Sequence, residues 1–156
     1  MNTDKKSKER GAALKKDEIS IYQEIQRNAE MAISAIDIIS DKVYDDDLAM
    51  QIARQSLKYS DIRNRAMDKL LQGKAEPNRK NPFSEMMLKG GIQYNTMLNT
   101  STSHIAELMI QGSSRGIVDM CKTLNRFPDS GGHAVEMAKE LMDFEEKNIE
   151  RLKKYL

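Results

Sequence analysis

Residues 48–71 read LAMQIARQSLKYSDIRNRAMDKLL. Within them Leu48, Ile52, Gln55, Tyr59, Ile62, Ala66 and Leu70 recur at intervals of three and four. That spacing lays one stripe along a helix and predicts an amphipathic helix over about 46–71. The acidic run Asp45-Asp46-Asp47 stands just before it, where carboxylates accept orphan amides and suit the positive helix end. Working outward, the same period appears three more times. A helix is expected over 16–42, with Tyr22, Ile25, Ala29, Ala32, Ile36, Ile39 and Val43 on its stripe. A third runs over 96–126, through Ile105, Leu108, Gly112, Gly116 and Met120. A fourth runs over 132–156, through Ala134, Met137, Leu141, Phe144, Asn148, Leu152 and Tyr155, with Asp129 and Ser130 as its expected caps.

The two hairpins match each other. Leu48-Ala-Met-Gln-Ile-Ala-Arg lies over His133-Ala-Val-Glu-Met-Ala-Lys at an offset of 85, and Ala32-Ile33 lies over Gly116-Ile117 at 84. The expectation is an all-α protein: a four-helix bundle of the ferritin-like up-down kind, built from two duplicated hairpins, 16–71 and 96–156. Between them, 72–95 contains the loop QGKAEPNRKN. Asn81 before Pro82 then predicts a short extra helix over 82–89, stopped by Gly90-Gly91. The first residues, MNTDKKSKERGAALKK, carry six basic and two acidic side chains and almost nothing apolar. Residues 1–15 therefore read as a disordered basic arm, and 16–156 as one domain.

Composition bounds the function. The chain has 156 residues, 25 Lys and Arg against 24 Asp and Glu, one Cys, no Trp and eleven Met. Balanced charge argues against a nucleic-acid partner. No apolar run approaches the roughly 20 residues of a membrane span, and no signal peptide is evident, so a cytoplasmic protein is expected. One cysteine excludes an internal disulfide framework. The methionines are scattered without a copper-binding cluster and read as core filler. Cys121 reads as an inert thiol, because no orienting third group accompanies the nearest histidine, His133.

From Leu108 the chain reads LMIQGSSRGIVDMCKTLNRF, and from Ala134 AVEMAKELMDFEEKNIERLKKYL. These stretches resemble helical hairpins in ferritin-like four-helix-bundle proteins of unknown function from Gram-positive bacteria. They include the spore-coat-F type and a family with a Met-Ile-x-His-His motif. The resemblance covers the last 50 or so residues well and the first half only through the duplication. It implies the bundle fold. Ser113 and Ser114 stand where the His-His pair would fall, so the family's metal-binding feature does not carry over.

Two sets of residues invite chemistry. A ferritin-like di-metal centre needs inward Glu and Glu-x-x-His groups at one level. This chain has the reverse order, His104-x-x-Glu107 and His133-x-x-Glu136, in places too far apart to share one centre. Glu24, His104, Glu107 and Glu150 are the donors that iron or another divalent metal would draw on. Gly112 and Gly116 sit inside a helix, where each costs about 1 kcal/mol against Ala, so close helix contact or a gap must explain them. In the second case Gly112, Gly116, Ser113 and Tyr59 would border a small apolar pocket. Gln55, Tyr59 and Asn148 read as a structural hydrogen-bond layer. The run from Glu145 to Lys154 reads as a solvated face. The preferred function is non-enzymatic: a structural or interaction module, with a second copy of itself or another protein as partner and no cofactor. A metal or redox protein and a binder of a small apolar ligand are the alternatives.

Overall fold

The computed structural model describes residues 13–79 and 99–156. They form four helices: α1 (Lys16–Ile39), α2 (Asp46–Gln72), α3 (Thr102–Arg126) and α4 (His133–Leu152). Single 3-10 turns follow α1 (Ser40–Lys42) and α4 (Lys153–Tyr155), and no strand occurs among the described residues. The expected helix over 82–89 lies outside the described residues.

Local chemistry places most of the ends. The Asp45 carboxylate accepts from the Leu48 amide at 2.8 Å and caps α2. Ser101 does the same for α3 through the His104 amide. Glu18 reaches back to the Lys15 amide at 2.9 Å. The expected caps of α4 are not used: Gly132, at φ 73°, leads into α4, and no side chain caps it. A positive φ is open to glycine at little cost, so the turn itself sets where α4 begins.

Side-chain contacts fix the directions. Tyr22 meets His133 with ring centroids 6.5 Å apart, and Asn28 and Glu145 both approach Gly116, so α1 and α4 run parallel. Ser103 donates to the carbonyl of Leu156, which makes α3 antiparallel to α4. Arg65 holds Glu140 and Tyr59 holds Glu145, which makes α2 antiparallel to α4. α1 packs against all three partners, whereas α2 and α3 scarcely meet. α2 ends beside the start of α1, where Leu14 lies against Gly73 and Gln23 donates to the Glu76 carbonyl. α3 begins at the other end of the bundle, beside Leu156.

The core follows the expected stripes closely in α2, where all seven stripe positions are buried. In α1 Ile21 joins the core while Ala32 is only partly covered, as is Val43 beyond the 3-10 turn that follows the helix. Leu14, assigned by sequence to the basic arm, packs against the core instead. An isolated leucine among lysines carries no periodic signal, so only the fold reveals it.

The register of the two hairpins also differs from the sequence match. An offset of 85 sets buried Ile62 and Ala66 over exposed Lys147 and Arg151. An offset of 86 pairs buried with buried: Leu48 with Ala134, Ile52 with Ala138, Tyr59 with Glu145, Ile62 with Asn148 and Ala66 with Leu152. Helices of one period match at several shifts, and the burial pattern aligns best at a shift other than the one the letters favour.

Candidate functional site

A cavity of about 130 Å³ lies between α1 and α3. Its α1 wall is Met31, Ala32, Ala35, Ile36 and Ile39, and its α3 wall includes Leu108, Met109 and Gly112. Small residues at Ala32, Ala35 and Gly112 leave the space that larger side chains would fill. One end is polar: Asn28 from α1, Tyr59 from α2, Ser113 and Gly116 from α3 and Glu145 from α4 meet there. Arg115 and Asp119 also line the cavity; they are joined at 3.2 Å and Arg115 is exposed.

The polar end is held by short contacts. The Tyr59 hydroxyl donates to Glu145 Oε2 at 2.5 Å and accepts from Asn148 Nδ2 at 3.2 Å. The Phe144 ring meets the Tyr59 ring edge-on, with centroids 5.0 Å apart. Asn28 Nδ2 donates to the Gly116 carbonyl at 3.1 Å, which turns its Oδ1 the other way. A Cβ at Gly116 would stand 2.8 Å from Asn28 Oδ1 and 3.0 Å from Glu145 Oε1. Gly116 therefore allows the close approach that the sequence suggested. Gly112 does not: it is exposed, and a Cβ there would meet nothing within 4 Å.

Glu145 is 1 % exposed. Burial raises its carboxyl to about 7, against the opposing hydrogen bonds of Tyr59, Ser113 and Asn148. Among the described residues it has no cationic partner within ion-pair distance. Burial and the neighbouring carboxylate push the Tyr59 phenol well above its usual range, so it remains a donor. Outside the cavity, Glu140 has the opposite environment. Arg65 grips it with two hydrogen bonds, of 2.6 and 3.0 Å, and Lys58 adds a third. These contacts hold its carboxyl down at about 2.

The four residues assigned by sequence to a ligand pocket, Gly112, Gly116, Ser113 and Tyr59, all line this one cavity. Ser113 is buried and Ser114 is exposed. Of the expected hydrogen-bond layer, Tyr59 and Asn148 are joined, while both amide atoms of buried Gln55 lack a partner among the described residues.

The metal donors are not gathered. Glu24 pairs with Arg27 on its own helix, His104 faces Glu107 at 3.6 Å, and Glu150 pairs with Lys153. Because Asn28 is level with Gly116, Glu24 is level with about residue 120, roughly 24 Å of helix from His104. No group of three or more His, Cys, Asp or Glu suited to a metal occurs among the described residues.

Glu145, the most perturbed carboxyl of the site, was read from sequence as part of a solvated face. The structure corrects this. Ala134, Ala138, Leu141, Glu145, Asn148 and Leu152 follow spacings of four and three without a break. The periodicity carried the signal; the charge of the residue hid it. No family model, curated protein or solved structure matches this chain.

Two outcomes follow from the site. Gly116→Ala should destabilise by about 1–3 kcal/mol, because buried Asn28 and Glu145 are both held by hydrogen bonds and cannot yield freely. Gly112→Ala should instead stabilise by up to about 1 kcal/mol through helix propensity alone. Urea melts of the two variants measure the contrast, and equal effects would contradict this geometry.

The pH dependence of stability has a sign that Glu145 sets. Its carboxyl shifts from an ordinary 4.5 to about 7 on folding, so the native state holds that proton more tightly between those values. The favourable contribution is full below about pH 4.5 and is lost as pH rises to about 7. Glu140 acts in another window: its contribution is present above 4.5 and lost as pH falls toward 2. Glu145→Gln should therefore flatten the fall in unfolding free energy between pH 4.5 and 7. A wild-type and variant profile of the same slope there would refute the assignment.

Proposed function

We propose that this protein binds a small, largely apolar molecule in the slot between α1 and α3. The observation that carries the reading is the 130 Å³ cavity with apolar walls and a cluster of polar groups at one end. Pockets of this composition use the walls for affinity and the few polar groups for orientation. The volume is close to that of an engineered apolar cavity of roughly 150 Å³ in another protein, which takes up benzene. Exposed Gly112 and Arg115 on its lining give a route from solvent. The resemblance to ferritin-like bundles stays a proposal about ancestry. The separated donors Glu24, His104, Glu107 and Glu150 give no support to a metal-dependent activity.

Benzyl alcohol is a suitable probe. Titrating it should produce saturable amide shifts at Ala32, Ala35, Gly112 and Gly116 in two-dimensional NMR spectra. Gly112→Leu should fill the open space, raise the melting temperature and remove those shifts. Unchanged spectra at millimolar probe would sink the proposal.

A second reading, an interaction module, rests on a different surface. Met50 and Leu57 lie seven residues apart on the outer face of α2, at 57 % and 74 % exposure, with Tyr44 exposed just before the helix. A partner helix or a second copy would cover that stripe. Sedimentation should then show a dimer that Leu57→Lys converts to monomer. A wild-type monomer at all concentrations would rule out self-association through this face.

A further inference from the structure

Two acceptor oxygens converge beside Gly116. Glu145 Oε1 and Asn28 Oδ1 both lie against the Gly116 backbone, 3.0 and 2.8 Å from where a Cβ would stand, and both residues line the cavity. The orientation of Asn28 is set by its Nδ2, which is committed to the Gly116 carbonyl. The other carboxylate oxygen of Glu145 is committed to Tyr59. The polar end of the cavity, where Ser113 also bonds Glu145, is therefore rich in acceptor oxygens. A carboxylate or phosphate entering here would meet oxygens of like charge. A donor would be accepted, and a cation most of all, because Glu145 has no cationic partner within ion-pair distance among the described residues. A buried acid without a partner must either keep its proton or find positive charge.

We propose, building on the reading of the slot as a binding site, that it takes a small primary ammonium ion on an apolar body. The ammonium nitrogen is held by Glu145 and Asn28, and the body lies along Ala32, Ala35, Ile36 and Leu108. The space suits a body of about six or seven carbons, a single ring or a short chain. The three N–H bonds of an ammonium can serve Glu145, Asn28 and the Ser113 hydroxyl together.

Binding in this mode depends on the ionisation of Glu145. The groups that surround it are few. Tyr59 faces it from α2 and stays protonated. Asn28 from α1, Ser113 from α3 and Asn148 on its own helix are uncharged. The nearest charges line the cavity wall and its rim. Asp119 there is held by Arg115 and Arg27, and Arg27 also holds Glu24. With the carboxyl raised to about 7, ammonium binding should strengthen as pH rises through neutrality.

The test uses benzylamine, with benzyl alcohol as its neutral counterpart. Their affinities for the full chain are measured by NMR titration at about pH 5.5 and 8.5, where the amine stays predominantly protonated. Benzylamine should bind at least about tenfold more tightly at the higher pH, while benzyl alcohol changes much less. Glu145→Gln should lower benzylamine affinity about tenfold or more and remove its pH dependence. If the variant does not fold, the pair of wild-type pH series decides by itself. Benzyl alcohol binding with benzylamine no tighter at pH 8.5 would overturn the ammonium assignment and leave the pocket standing. Failure of both probes would overturn the pocket as well.

Discussion

The hydrogen bond between the Tyr59 phenol and the Glu145 carboxyl joins α2 to α4 in the middle of the bundle, out of water. Neither group can be left alone there. An orphaned buried donor or acceptor costs about 1–3 kcal/mol, and a lone charge more. Glu145 therefore needs Tyr59, and the approach of Glu145 to α3 needs a glycine at 116, where a side chain would strike its Oε1. The same glycine admits Asn28 from α1. One buried polar contact thus draws on all four helices.

The rest of the packing is arranged around α1. It packs against all three other helices, as α4 also does, and Ile21, Tyr22 and Ile25 are buried within little more than one of its turns. Toward α3 that stripe narrows to alanines, and α3 answers with Gly112 and Ser113. Helices that meet through small residues either close up or leave a gap. Here both occur, one turn apart: contact at Gly116, open space at Gly112.

Charge outside the core is spent locally. The Arg65–Glu140–Lys58 cluster ties α2 to α4 on the surface, and most other pairs lie within a single helix at three- and four-residue spacing. Such exposed pairs contribute little each. They do, however, occupy the carboxylates and histidines that would otherwise be available to a metal. Glu145 stands apart from them: among the described residues no cation lies within ion-pair distance of it, and it is 1 % exposed.

Hydrophobic period by itself determined the all-helical class, the full buried stripe of α2 and the place of each helix to within a few residues, except that α3 begins at Thr102 rather than at 96. It did so because spacing of three and four is a property of the chain and needs no partner to be read. The small residues at 112 and 116 and the hydroxyls of Ser113 and Tyr59 were also legible as a set. Their separate roles were not: Gly112 faces open space and Gly116 a crowded contact, and only the neighbours from α1 and α4 distinguish them. Glu145 escaped because a charged residue on an apolar stripe reads as solvent-facing until a donor across the bundle is seen. Directions of the helices, the packing of Leu14 and the register between hairpins likewise depend on contacts between residues distant in the chain. Period alone cannot specify those, since every amphipathic helix offers the same stripe to any partner.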